Sequence, residues 1–388
     1  MHRVSSIVSL FVFSAALSFT AASQSTDFSS DFHDFRAVTV VGGLENVWGM
    51  TFLPNGDILV TERPGRLRRV SNGELQEAAI TGVPEVHAQG QGGLLDVALH
   101  PDFESNSLVY LSYSKPVDGN STTAVARGRL EGSTLLDVED IFVANSSGRG
   151  HYGSRLVFDN DGYLYVTVGD RQASPTGELE AHPAQDYSNH HGTVSRLHDD
   201  GRIPDDNPFL DVEGAEPSIY SFGHRNQQGM TKHPETGQIW AVEHGPRGGD
   251  ELNLIRPGLN YGWPVIGYGI NYNGDEIHSA THAEGMEQPA HYWVPSIATS
   301  GLLIYDGDVF PQWKGNAFVG GLNGQQVARL TMSGNDIVGE ETLFEGQGRV
   351  RDIRQGPDGY IYLGIDAGIS EGRSIVRLEP IDSDQDPN

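Results

Sequence analysis

Cysteine is absent from the 388-residue chain. No disulfide can staple the fold, and thiolate metal centres are excluded. A metal could be held only through oxygen or imidazole, which favours a hard cation such as calcium. Lysine is almost missing too: Lys115, Lys232 and Lys314 are the whole complement. Lysine and arginine together number 25 against 52 aspartates and glutamates, so the formal net charge is −27. Phosphate backbones and anionic bilayers repel such a surface, so neither nucleic acid nor a charged membrane is an expected partner. The acids are spread along the chain rather than gathered in a tail, which is the pattern of a solvated surface. Beyond Phe19 no apolar run is long enough to cross a bilayer. Phosphate-cradling glycine loops, nucleotide fingerprints and nucleophile elbows are missing as well.

What is present begins with an export pattern. Met1-His2-Arg3 is a short positive start, Ile7 to Phe19 is apolar, and Ala21-Ala22-Ser23 supplies small residues for cleavage. Residues 1–23 are therefore expected to be a signal peptide. Residues 24–388 are expected to form one domain that is periplasmic or secreted and not embedded in a membrane.

Glycine (49) and proline (20) suit many tight turns between short strands. A degenerate repeat carries that reading. Its unit is a strand-like run, a Pro, Asp-Gly or Asn-Gly turn, and a second strand-like run. Copies start at Trp48, Leu94, Arg155, Gly229 and Ile353, with a looser one from Leu302 to Gly320. Asn-Gly and Asp-Gly permit the positive φ of a tight hairpin. A lone hairpin cannot bury its apolar surface, so six copies predict an all-β, six-bladed propeller. The strand-like stretch Phe35 to Val41 precedes the first copy. It is expected to close the ring by completing the last blade near Ile375-Val-Arg-Leu. Two long polar inserts, Gln172–Ser218 and Gly267–Pro289, lack strand periodicity and are expected to roof one end of the channel.

Polar residues beside glycine concentrate in Gly90-Gln-Gly-Gly, Gly150-His-Tyr-Gly-Ser-Arg, Gly223-His-Arg-Asn and Gly245-Pro-Arg-Gly-Gly-Asp-Glu-Leu-Asn, and less strongly in Arg349-Val-Arg-Asp. Each adjoins a repeat, and equivalent positions on successive blades meet at the axis. His182 and His190-His191 show no metal-ligand spacing on a defined element.

Together with Asn260-Tyr-Gly-Trp-Pro, these motifs resemble those of the soluble aldose sugar and glucose dehydrogenases that use pyrroloquinoline quinone (PQQ). The resemblance runs from about Leu44 to about Leu378. It implies oxidation of an aldose to its aldonolactone, with PQQ and calcium as cofactors and a separate electron acceptor. It implies that His151 is the general base, a role suited to an imidazole near neutral pH. Arg225 and Asn226 would contact the quinone, and Arg225 would also stabilise charge on its oxygen. Arg349 and Arg351 would bind cofactor carboxylates, with Gln91 and Tyr272 as further contacts. The carbonyls of Gly245 and Pro246 would hold one calcium; Glu251 and the Tyr261 carbonyl would hold a second. Two departures stand out. Relatives carry a cofactor-binding lysine where this chain has Asn323, which can hydrogen-bond a carboxylate but not neutralise it. Many also carry an acid just before the base, where this chain has Gly150. A calcium-dependent lactonase and a non-catalytic sugar-binding propeller stay open as other readings. A monomer or homodimer is expected.

Overall fold

The computed structural model describes residues 25–366 and 375–381. The export-signal reading of residues 1–23 lies outside them. Six antiparallel sheets follow one another along the chain and make a six-bladed β-propeller. Blade 1 comprises Val47–Phe52, Ile58–Glu62, Arg66–Ser71 and Glu74–Leu75; blade 2 comprises Leu94–Leu99, Leu108–Val117, Asn120–Glu131 and Thr134–Val143. Blade 3 comprises Leu156–Phe158, Leu164–Val168, Thr193–Leu197 and Ile219–Ser221; blade 4 comprises Gln227–Lys232, Ile239–Glu243, Asp250–Ile255 and His291–Trp293. Blade 5 comprises Thr299–Ile304, Ala317–Gly321, Gln326–Ser333 and Asp336–Leu343. Blade 6 comprises Val350–Gln355, Ile361–Ile365 and Ile375–Pro380, and is completed from the other end of the chain by Phe35–Val41 and Ser25–Phe28. The pairing runs from Phe35 against Pro380 to Val41 against Ile375, the expected ring closure.

The repeat folds this way because each blade has two faces to cover. The second strands of blades 1, 3, 4, 5 and 6 are buried at every position, so they read as largely apolar runs rather than alternating ones. One core lies between blades 1 and 2, where Leu59 and Leu67 pack with Val97 and Leu111.

Charge knits the axis. Arg155, 1% exposed, donates Nη1 to Asp96 and to Asp352, each at 3.0 Å, and Nε to the Gln228 carbonyl at 2.9 Å. Arg354 bridges the same two aspartates at 3.0 and 3.1 Å, and Asp352 also accepts the Met50 N–H at 2.9 Å. Blades 1, 2, 3, 4 and 6 thus share one buried network.

One expectation is corrected. Gln172–Ser218 is not wholly irregular: it contains Thr193–Leu197, the third strand of blade 3, fully buried. Its Thr-Val-Ser-Arg-Leu run is short and carries an arginine, which masked the period. The insert's histidines pin loops. His190 accepts the Asn145 N–H at 2.9 Å and bonds Ser218 at 2.8 Å.

Candidate active site

Antiparallel blades determine which loops can meet. Connections that enter an inner strand, and connections between second and third strands, emerge at the same end of every blade. Gln91, His151, Arg225 and Arg349 lie on the first kind; Asp170, Gln172, Gly245, Pro246, Asn323 and Asp366 lie on the second. The long loop after Asp250–Ile255 returns to that end, where Ile270 bridges Arg247, and it carries Tyr272 there. Gln91, His151, Asp170, Gln172, Arg225, Pro246, Trp263 and Tyr272 all line one open cavity of about 480 Å³.

His151 is buried and stands at φ +45°, which turns its ring into the cavity wall. Its backbone N–H donates to Gln91 Oε1 at 2.7 Å. Its Nδ1 lies 2.6 Å from Asp170 Oδ1. Asp170 also accepts the Gln172 N–H at 2.9 Å and, through Oδ2, the Trp263 indole N–H at 2.8 Å. Gly169 permits this arrangement: a Cβ there would lie 2.2 Å from the His151 carbonyl oxygen. Burial raises the Asp170 carboxyl, but the charge and hydrogen bond of His151, then Arg225, outweigh it and hold it below the ordinary carboxylate range. Burial holds His151 below the ordinary imidazole value against the opposing pull of Asp170. An ionised Asp170 requires the proton on Nδ1, so Nε2 is left as a neutral proton acceptor.

Arg225 is fixed from several sides. Its N–H donates to Glu243 at 2.6 Å, its guanidinium donates to the carbonyls of His244 at 3.0 Å and Gly245 at 2.9 Å, and its Cζ lies 5.2 Å from the Trp263 ring centre. Arg351 reaches in from blade 6, paired with Asp366 at 3.1 Å and bonded to Gln228. Arg349 is 3.8 Å from the same Asp366 and donates to the Leu322 carbonyl at 3.4 Å, one residue before exposed Asn323. Tyr272, 68% exposed, stands at the mouth.

Other expected contacts sit behind this cavity. Asn226 is 1% exposed, and its Oδ1 holds the Gly153 N–H at 3.1 Å. Glu251 and Tyr261 line a second, small cavity of about 20 Å³ with Glu243, Gly245 and Pro246. Burial, and next the Glu243 carboxylate, push Glu251 up to about 8. Among the described residues no group of three or more His, Cys, Asp or Glu could hold a metal. Any ion here would need carbonyl oxygens to complete its ligands.

The sequence reading missed Asp170. Its signal is a Gly-Asp pair directly after a fully buried strand, at the end of the blade where the glycine-rich loops gather. His244 was also missed; it is half-buried, with its Nε2 atom shielded and unpartnered, and burial with nearby Arg225 and Arg351 holds it far below the imidazole value.

Fold and site together define a six-bladed propeller with an imidazole–carboxylate pair at one mouth of the ring. The chain belongs to the glucose/sorbosone dehydrogenase family, whose model matches residues 44–376. It is 42% identical to the aldose sugar dehydrogenase YliI of Escherichia coli K12, over 87% of this chain and 91% of that one. The crystal structure of the soluble aldose sugar dehydrogenase from Escherichia coli in its apo form superposes with a TM-score of 0.83 at 40% identity, covering 89% of this chain and 100% of that one. The PQQ-bound aldose sugar dehydrogenase of Streptomyces coelicolor superposes at 0.74 with 27% identity, covering 92% of this chain and 98% of that one.

Proposed function

We propose that the protein oxidises aldose sugars at the anomeric carbon to aldonolactones, with PQQ and calcium as cofactors. The single observation that carries the reading is the buried His151–Asp170 pair opening on a cavity shared with Arg225 and Gln91. The cavity volume falls within the range of small-molecule sites. Its surroundings fit an anionic, planar cofactor. Arg225 Nε, Arg351 Nε and His244 Nε2 are buried without partners, and unpaired donors of this kind are costly unless a ligand satisfies them. PQQ is a tricarboxylate, so Arg225, Arg349 and Arg351 would hold it, with Gln91, Tyr272 and Asn323 as weaker contacts, while Asn226, committed to the Gly153 N–H, would act by positioning the loop that carries His151. The Gly245 and Pro246 carbonyls would hold one calcium. Glu251 and the Tyr261 carbonyl would hold another, and a cation there would relieve the repulsion between the Glu251 and Glu243 carboxyls that line the small cavity.

When bound, the quinone supplies a two-electron acceptor for the hydride that leaves the anomeric carbon. His151 Nε2 takes the anomeric hydroxyl proton. Asp170 fixes the tautomer and stabilises the imidazolium that forms. Arg225 faces negative charge that develops in the cavity. A separate acceptor would reoxidise the cofactor. The export pattern supports a periplasmic or secreted setting.

A lactonase would need acids free to converge on an axial metal. Here Asp96 and Asp352 are committed to Arg155 and Arg354. The test mixes the purified protein with PQQ, calcium, glucose and a dye acceptor. Dye reduction that requires PQQ is expected. Lactone hydrolysis without PQQ, or no reaction with any aldose, would overturn the proposal.

A further inference from the structure

We propose that the side-chain amide of Gln172 holds the sugar hydroxyl next to the anomeric carbon, and that Gly150 is side-chain-free to seat that amide. The inference rests on the sugar-oxidising reading above and adds a specificity-determining residue to it.

Gln172 stands at φ +60°, immediately beyond the Asp170–Arg171 pair. Its backbone N–H is spent on Asp170 Oδ1. The left-handed backbone turns its side chain back over Gly150, the residue before the base. A Cβ on Gly150 would meet Gln172 Cδ at 2.5 Å and both amide heteroatoms at 2.7 Å. The amide therefore fills the volume where a side chain at position 150 would begin. Relatives with an acid at that position would place a carboxylate in the same region.

The two amides beside the base are used differently. Gln91 commits its oxygen to the His151 N–H. Gln172 lines the same cavity as His151, and among the described residues its amide has no hydrogen-bond partner. An amide offers both donors and an acceptor, which matches a hydroxyl that does both. With the anomeric hydroxyl on His151 Nε2, the nearest remaining hydroxyl belongs to the adjacent carbon. A neutral group also suits this place, because a carboxylate there would add a second negative charge beside Asp170.

Gly150 offers a way to move the amide without removing it. The atoms that an added methyl would strike are the far end of a flexible side chain, and Gly150 is not among the positive-φ glycines. Gly150→Ala should therefore displace Gln172 at little cost to folding. The experiment uses the full chain loaded with PQQ and calcium, and compares wild type, Q172A, G150A and the double variant on glucose and on 2-deoxyglucose. Absorbance titration of PQQ and thermal melting are run in parallel.

Each single variant is expected to lose about tenfold in kcat/KM on glucose, the worth of one neutral hydrogen bond. The double variant should lose no more, because both changes remove the same contact. Wild type should fall about tenfold on 2-deoxyglucose, with no further loss in the variants. PQQ titration and melting should be unmoved. Equal losses on both sugars, additive losses in the double variant, or unchanged glucose turnover in Q172A would overturn the assignment. A wild type that oxidises no aldose would instead overturn the sugar-oxidising reading beneath it.

Discussion

Replacing Asp170 by asparagine removes one negative charge from a fully buried site and leaves the size of the side chain nearly unchanged. Three N–H groups point at the carboxylate: His151 Nδ1 at 2.6 Å, Gln172 N at 2.9 Å and Trp263 Nε1 at 2.8 Å. An asparagine oxygen can serve one side of that set. Its NH2 must then face a donor on the other side. Turning the oxygen toward His151 and Gln172 strands the Trp263 N–H, at about 1–3 kcal/mol. The larger effect falls on the reaction. An imidazolium about 4 Å from a carboxylate gains about 4 kcal/mol at an effective dielectric near 20, and the amide forfeits it. We expect kcat to fall about a thousandfold, with PQQ titration nearly intact and stability lowered only by that unpaired Trp263 N–H. The acid limb of kcat/KM should also move. Asp170 raises the His151 value against burial, so its removal carries the limb to lower pH, starting from a wild-type limb already below the ordinary imidazole value. The assay is dye reduction against pH in the PQQ-loaded protein. Turnover within tenfold of wild type, with an unmoved limb, would refute the base–carboxylate pairing.

His151→Ala should abolish dye reduction while absorbance titration still shows PQQ binding; normal turnover would remove His151 from the base role. Asn323→Lys should tighten PQQ in a reconstitution titration, because an ammonium neutralises a carboxylate that an amide only hydrogen-bonds; unchanged affinity would refute this. Arg155→Ala should cost about 3–5 kcal/mol in chemical denaturation, since it leaves Asp96 and Asp352 buried with Arg354 alone; a loss under 1 kcal/mol would show that the axial network is not cooperative. Calcium should raise the melting temperature of the wild type more than that of Glu251→Gln, which keeps only the Gly245–Pro246 carbonyl site; equal shifts in both would move the second ion elsewhere.

Composition and local pattern determined a good deal. Turn dipeptides between short apolar runs recur because each blade is built alike and cannot cover its own faces, so the number of blades and the closing role of Phe35–Val41 could be read directly. The polar, glycine-flanked loops at Gln91, His151, Arg225 and Gly245 were legible because side chains that do not pack a core stand out against a periodic background. Tertiary structure alone decided the partners. Asp170 follows an ordinary buried strand, and nothing local says that it will meet His151, nineteen positions earlier, with Trp263 closing the other side. The strand Thr193–Leu197 hid within a polar insert because its register comes from Leu164–Val168, not from its own alternation. The amide of Gln172 over Gly150 likewise depends on a positive φ that glutamine rarely adopts and that only the surrounding loops impose. Periodicity is written in neighbouring residues; convergence at a ring mouth is created by closure, which brings together loops that the chain holds far apart.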